Sequence, residues 1–206
     1  NIVLTLEGKR LLIYAQKMLQ LEREILLEVP KSEDPTGILR LGVSESLCYN
    51  ILPHILLEYK KRFPKIVIEL QFITHDTFPS MLKQGALDLV YTLNPYIESP
   101  ELVMLHKKPE TLGFYASPEY PLANRNRIKE TDLENIPLLL TSHSCNFRLM
   151  LIQDLAKYSV TPKIGIETSR KEILKQFAIN QLGVAFIPDM VAKEEIENGS
   201  LKSCLL

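Results

Sequence analysis

The hydrophobic positions near the start of the chain follow a helical pattern. Between residues 5 and 29 there is no proline and, after Gly8, no glycine. Apolar residues recur there at alternating spacings of three and four, as in the a/d positions of a coiled coil. These predicted dimerisation residues are Leu11, Tyr14, Met18, Leu21 and Ile25. Because a polar, proline-bounded linker follows at 30–37, we expect this helix of about 20 residues to pack on a partner helix. The alternative is an amphipathic helix that packs on its own domain.

The next apolar run predicts a buried strand from Ile38 to Val43, which ends abruptly at Ser44-Glu45-Ser46. We expect the following helix to begin near Asn50, with Pro53 in its first turn. A helix that begins directly after a strand leaves free backbone N–H groups at its start. Hydroxyl groups beside those N–H groups form a polar pocket that suits a ligand oxygen.

Strand and helix patterns then continue in β-α-β-α-β order, which predicts a parallel sheet with right-handed crossovers. Strands are expected at 66–73 and 87–91, with a short helix between them that Asp76 caps and Gly85 ends.

A similar pattern begins again in the second half of the chain. Strands are predicted at 102–106, 112–117, 138–140, 164–166 and 184–187. Ser169 and Glu172 fit the S-x-x-E capping box of a helix start, and Pro188 opens a helix that Gly199 ends. We therefore predict an α/β protein with two similar halves, 36–108 and 109–206, preceded by a helix and hinge at 1–35.

Four of the predicted strands end in loops rich in hydroxyl groups. The hydroxyl residues are Ser44, Ser46, Thr92, Thr141, Ser142, Ser144, Thr168 and Ser169. Ligands of open α/β sheets bind outside the carboxyl ends of the strands, close to helix N-termini. Two such sheets that face each other would form a cleft lined by all four loops. The alternative is that each hydroxyl only caps its own helix.

Composition and charge exclude several classes of protein. The formal net charge is −1, so the chain carries no basic field for nucleic acid. Cys48, Cys145 and Cys204 form no CxxC motif, which fits a reducing, cytoplasmic location. No apolar run approaches the ~18 residues of a membrane span. Enzyme motifs and metal-ligand spacings of histidine are absent from the sequence, so we expect no catalysis, no metal site and no cofactor.

Several stretches taken together resemble the LysR-type transcriptional regulators of bacteria. In chain order they are Leu4–Ala15, Leu39–Gly42 with Leu52-Pro53 and Phe63-Pro64, Gly85–Val90, Cys145–Arg148, and Gln181–Pro188. Their order and spacing extend over nearly the whole chain.

The resemblance implies an effector-binding domain with two Rossmann-like subdomains that resemble type II periplasmic binding proteins. It also implies a linker helix that dimerises as an antiparallel pair, within a homodimer or homotetramer. A small effector would lie between the subdomains. Apart from the resemblance, the hydroxyls and helix N-termini favour an anionic effector, which Glu45 would repel if it pointed inward. The family's ligand-contacting positions map onto the hydroxyl residues named above and onto Cys145.

The family pattern also extends past both ends of the chain. A DNA-reading helix-turn-helix would precede Asn1, so DNA would be bound only through that domain. A final strand and helix of the first subdomain would follow Leu206, so we expect the first sheet to be incomplete.

Two other functions are compatible with the same fold. A solute-binding component of a transport system would require secretion and has no use for a heptad helix. A thiol-based redox sensor of the same family would use Cys145 at a helix N-terminus, although Cys48 and Cys204 offer no evident resolving partner.

Overall fold

The computed structural model describes residues 3–28, 35–74, 76–94, 97, 99–125 and 127–204. The chain divides into two compact units, Asn1–Met104 and Leu105–Leu206. The domain boundaries inferred from the sequence, at 35/36 and 108/109, stay predictions.

The first unit begins with a 23-residue helix, α1 (Leu6–Glu28). The side-chain oxygen of Thr5 accepts a hydrogen bond from the Gly8 N–H at 3.0 Å, which satisfies one free donor of the first turn. The five predicted dimerisation residues are between 54% and 72% exposed in this single chain. Most of the predicted linker at 30–37, and the side chain of Leu26, lie outside the described residues.

The rest of the first unit is a small α/β unit built on a parallel sheet. Its elements are β1 (Gly37–Val43), α2 (Glu45–Asn50), α3 (Leu52–Arg62), β2 (Ile66–Phe72), α4 (Phe78–Lys83) and β3 (Leu89–Tyr91). The strand order is β2-β1-β3, and both pairings are parallel, which confirms the predicted sheet. Leu41, Val43 and Phe78 are among its buried residues.

Two predicted helix starts in this unit are wrong. The helix after β1 begins at Glu45 rather than near Asn50, because the Ser44 carbonyl already accepts the N–H groups of Leu47 and Cys48. The Asn50 side chain instead bonds the Ser46 carbonyl at 2.8 Å, next to the break at Ile51 that separates α2 from α3. Asp76 does not cap α4: Thr77 occupies the N-cap position and makes no side-chain capping bond.

The second unit is built on a five-stranded mixed sheet. Its elements are β4 (Leu112–Ala116), β5 (Leu138–Leu140), α5 (Asn146–Ala156), β6 (Ile164–Glu167), α6 (Lys171–Ile179), β7 (Val184–Pro188), α7 (Asp189–Glu197) and β8 (Lys202–Cys204), with short 3₁₀ turns at Pro121–Asn124 and Glu130–Glu134. In the order β6-β5-β7-β4-β8, the first three strands are parallel, and β4 is antiparallel to both of its neighbours.

The strand predicted at 102–106 does not form, and that prediction is wrong. Residues 102–111 have neither helical nor strand structure, and the side chains of Val103 and Leu105 are 83% and 77% exposed. An apolar run predicts a strand only where a neighbouring strand accepts its hydrogen bonds. The three-residue strand β8 was not predicted, because its Lys-Ser-Cys sequence has no apolar alternation.

Because side chains alternate in direction along the strands, the core of the second unit has two layers, one on each face of the sheet. Phe114, Leu138 and Leu140 belong to the cluster that contains the α5 residues Leu151 and Leu155. Their strand neighbours face the other side and pack in the cluster that contains residues of α6 and α7. Because successive side chains of a strand point to opposite faces, the Leu138–Leu140 run serves both layers.

The layer of α6 and α7 contains a buried ion cluster. The Lys175 ammonium lies 2.9 Å from a Glu172 oxygen and 2.8 Å from a Glu195 oxygen. Burial alone lowers the pKa of Lys175, but the hydrogen bonds of Glu195 and Glu172 outweigh it, so the pKa is raised. The cluster joins α6 to α7 and so fixes the position of α6, which begins directly after residues 168–170.

Gly183 sets the approach of β7 to the sheet. Its φ is +156°, and a Cβ atom there would lie 2.2 Å from the Pro137 carbonyl oxygen. Any other residue would clash with the backbone, so the Gln181–Pro188 stretch requires glycine at this position.

Candidate functional site

The carboxyl ends of β1 and β3 are joined by a pair of hydroxyl groups. The side-chain oxygens of Ser44 and Thr92 are 2.9 Å apart. The Leu93 N–H donates to the Ser44 oxygen at 3.3 Å, and the Ser44 N–H donates to the Tyr91 carbonyl at 3.1 Å. Although Ser44 is at the N-cap position of α2, its side chain makes no capping bond. The structure thus brings two predicted site residues together and gives Ser44 a partner other than the helix.

The two hydroxyls leave one donor for a ligand. Each carries a single proton, and their mutual bond uses one of the two, whichever group donates. The Leu93 N–H donates to the Ser44 oxygen, so this bond uses neither of the two hydroxyl protons. Either Ser44 or Thr92 therefore retains an O–H that suits an acceptor such as a carboxylate oxygen.

Ser46 lies in the first turn of α2 and is only 3% exposed. It stands two residues past Ser44, inside the helix rather than at its cap. The prediction that Ser46 contacts a ligand stays a prediction.

In the second unit, Arg148 joins the ends of β5 and β6. This residue of the first turn of α5 is only 8% exposed. Its Nη1 donates to the Thr141 carbonyl at 2.8 Å and to Glu167 Oε2 at 2.6 Å. The Thr168 N–H also donates to the Leu140 carbonyl at 3.2 Å. The loops that begin at Thr141 and at Thr168 are therefore fixed at one edge of the sheet.

Arg148 also sets the direction of the first peptide group in its loop. In a trans peptide the carbonyl and the following N–H point in opposite directions. Because the Thr141 carbonyl points at the guanidinium, the Ser142 N–H points away from it. The Ser142 carbonyl accepts the Cys145 N–H at 2.9 Å, and Cys145 is the N-cap residue of α5. Ser144 is exposed within this turn.

Glu167 holds the same loop from the β6 side. The hydrogen bond from Arg148 is the main cause that lowers the pKa of Glu167, and contacts with His143 act in the same direction. His143 Nδ1 lies 3.6 Å from Glu167 Oε1, with the imidazole largely exposed. The carboxylate is therefore ionised at neutral pH and bridges two segments of the loop.

The predicted capping box at Ser169 is wrong. Helix α6 begins at Lys171 with Arg170 at its N-cap position, so Ser169 is exposed and outside the helix. Glu172 bonds Lys175 in the ion cluster of α6 and α7. Thr168 forms a local turn instead, in which its side-chain oxygen accepts the Arg170 N–H at 3.3 Å.

The first turns of α5 and α6 are neighbours. The Lys171 ammonium lies 5.8 Å from the centre of the Phe147 ring, within the range of a cation–π contact. A cation thus stands beside the loops at Thr141 and Thr168.

Sequence reasoning missed Arg148 and Glu167 as members of the site. Arg148 belongs to the Cys145–Arg148 stretch, but its role depends on a carboxylate 19 positions away on another element. For Glu167, the only local signal is its own charge at the end of an apolar strand.

The remaining side chains offer little other chemistry. Cys48, Cys145 and Cys204 are free thiols, and burial raises the pKa of Cys204 to about 11. Within the described part of the chain, no three His, Cys, Asp or Glu side chains are grouped as metal ligands would be. None of the described helices is long and apolar enough to cross a membrane.

A family model described as the LysR substrate binding domain matches residues 32–206. The chain belongs to this LysR family. It is therefore the substrate-binding regulatory domain of a transcriptional regulator and not an enzyme, as the resemblance implied.

The chain is also similar in sequence to several curated transcriptional regulators. The chain is 29% identical to the HTH-type transcriptional regulator YwqM of Bacillus subtilis over 203 residues, covering 98% of this chain and 69% of that protein. It is 29% identical to the regulator SoxR of an Arthrobacter species and 28% identical to the regulator CzcR of Bacillus anthracis. Each of these alignments covers 91% of this chain and 62% of the relative, so the chain spans less than two thirds of both proteins.

Solved LysR-type domains share the fold. The CcmR regulatory domain of Synechocystis in complex with 2-PG has a TM-score of 0.66 at 22% identity, over 82% of this chain and 80% of that one. The cofactor-binding domain of the Cbl regulator has a TM-score of 0.73 at 16% identity, over 85% and 76%. The effector-binding domain of QuiR with shikimate has a TM-score of 0.66 at 18% identity, over 84% and 81%. These similarities confirm the predicted fold class.

Proposed function

We propose that the chain senses a small anionic metabolite through its strand-end loops and so modulates DNA binding and transcription by the regulator. The observation that carries this proposal is the Ser44–Thr92 pair, which retains one O–H donor whichever hydroxyl gives the shared proton. The loops at Thr141 and Thr168 add backbone N–H groups at the start of α5 and the cation of Lys171. The donors of each unit, taken by itself, suit an oxygen of a carboxylate or phosphate.

We further propose that α1 is the dimerisation helix. Its seam residues, from Leu11 to Ile25, are each more than half exposed in the single chain. Pairing with a second α1 would remove this apolar surface from water. A homodimer or homotetramer would then present DNA-binding domains located ahead of this chain, in the cytoplasm.

The transport and thiol alternatives receive less support. Family membership favours a regulator over a transport component. Cys145 stands at the start of α5 and is partly exposed, but Cys204 is buried with a raised pKa, which leaves its thiol unreactive at neutral pH. We therefore rank metabolite sensing above thiol oxidation.

A thermal-shift panel tests the proposal. The panel contains shikimate, 2-PG and other small acids, each with an uncharged ester or amide. An acid at about 100 times its Kd stabilises a folded protein by ~2.7 kcal/mol. For a chain of this size that corresponds to a rise in Tm of about 5–10 °C. Equal shifts with the uncharged compounds, or no shift with any acid, would contradict an anionic effector.

A further inference from the structure

An open cavity lies in the second unit, between α5 and β6. Its volume is about 530 Å³, within the range of small-molecule sites. Its apolar wall consists of Ile152, Ala156, Val160, Pro162 and Ile164, and Arg148 also lines it.

The fold explains why these residues meet. Arg148, Ile152 and Ala156 are spaced by four, so they share one face of α5. Ile164 is the first residue of β6, the edge strand of the sheet. The turn after α5 passes through Ser159, whose φ is +59°, and brings Val160 and Pro162 to the end of the cavity. The cavity is thus a slot along the sheet edge.

Arg148 has N–H donors that its two hydrogen bonds do not use. A guanidinium carries five N–H bonds, and both bonds that Arg148 makes with the described residues come from Nη1. Nε and Nη2 make no hydrogen bond with the residues that the structure describes, and Arg148 is a lining residue of the cavity.

The Nε and Nη2 edge is the part of a guanidinium that binds a carboxylate through two parallel hydrogen bonds. Nη1 is already engaged with Thr141 and Glu167, so a ligand on the Nε–Nη2 edge displaces neither contact. The other lining residues are mainly aliphatic, with the hydroxyls of Ser159 and Thr161 among them.

We propose that this cavity is a second small-molecule site, separate from the strand-end loops, that takes a monocarboxylate with a short apolar body. The carboxylate binds the Nε–Nη2 edge of Arg148, and the body packs on Ile152, Val160 and Ile164. This site does not depend on which effector the strand-end loops bind.

The test is a methyl NMR titration of the 206-residue chain with hexanoate and, separately, with benzoate. Hexanamide and benzamide have matching shapes without the charge. We expect at least one acid to give saturable shifts of the Ile152, Val160 and Ile164 methyl groups. Its Kd should be about tenfold lower than that of its amide, because the charge-assisted bonds to Arg148 are lost. The two acids distinguish an aliphatic from an aromatic body.

A pair of substitutions locates the site. Ala156→Leu adds bulk to an exposed residue that lines the cavity, and it should weaken binding of the better acid about tenfold. Gln153→Leu adds the same side chain to an exposed position of α5 and should leave the Kd within about twofold. The proposal is overturned by equal Kd values for acid and amide, by an Ala156→Leu protein that binds as the wild type does, or by shifts confined to residues 141–145 and 168–169.

Discussion

At the scale of single residues, Arg148 gives the second unit its most specific local geometry. The Arg148 guanidinium orients the Thr141 carbonyl, pairs with the ionised Glu167 carboxylate and fixes the end of β6. In the first unit, the Ser44–Thr92 pair has the corresponding role at the ends of β1 and β3. Both arrangements use residues at strand ends, but only the Ser44–Thr92 pair uses hydroxyl groups that the sequence had indicated.

The lowered pKa of Glu167 predicts a pH dependence of stability. A carboxyl whose pKa is lower in the folded than in the unfolded protein stabilises the fold above its unfolded pKa, roughly 4.3 for glutamate. This stabilisation is lost as the pH falls through the folded value. Glu167→Gln should therefore be less stable than the wild type at neutral pH and lose less stability between roughly pH 5 and pH 3.

Urea unfolding at several pH values measures this difference. Glu134→Gln, which removes an exposed carboxylate from the same unit, serves as the control and should follow the wild-type curve. Parallel curves for Glu167→Gln and the wild type would show that the ion pair with Arg148 does not contribute to stability.

Single-residue roles were predictable only where the signal was local. Ser44 and Thr92 follow apolar strands directly, so the sequence alone indicates that they lie at a sheet edge. The pairing of Arg148 with Glu167 depends on how α5 packs beside β6. Ser169 shows the reverse error, since its capping motif is complete in the sequence but Glu172 pairs with Lys175 instead.

At the scale of elements, α1 is a long helix whose seam has no partner within the chain's described contacts. Met18 and Leu21 are 72% and 58% exposed. A helix that exposes apolar residues in a heptad pattern is stable in water chiefly when a second helix covers those residues.

Two glutamates in the seam should weaken self-association. Met18→Glu with Leu21→Glu places four like charges per dimer in the proposed interface, which costs several kcal/mol by the usual scale of buried unpaired charge. We expect sedimentation velocity to show a smaller species than the wild type. The control, Gln16→Glu with Gln20→Glu, adds the same charges outside the seam and should keep the wild-type species. An unchanged oligomer in the seam variant would exclude α1 as the interface.

Elements with strong periodicity were predicted well, and short or unpaired ones were not. The strand predicted at 38–43 and the parallel pairing of the first sheet follow from apolar runs separated by helices. The run at 102–106 has the same composition but no neighbouring strand, whereas β8 has a neighbour and almost no apolar residues. Strand formation at these positions depends on pairing, which a local pattern does not contain.

At the scale of the whole molecule, the alternation of strands and helices was sufficient to predict the fold class. The family match at residues 32–206 confirms it and assigns the chain to a transcriptional regulator. The mixed sheet of the second unit was not predicted, because β4 pairs antiparallel with β7 and β8, and a local pattern does not contain strand direction.

The central claim is that hydroxyl groups at the strand ends bind the anionic effector. Calorimetric titration of the best acid from the panel into a Ser44→Ala/Thr92→Val double variant and into Thr141→Val tests it most directly. Both hydroxyls of the pair are removed, because either one alone keeps an O–H donor. Each variant should then lose a hydrogen bond to a charged group and bind about one to two decades more weakly. Ser80→Ala and Thr131→Val remove hydroxyls elsewhere and should bind as the wild type does. Wild-type affinity in both the double variant and Thr141→Val would contradict the account.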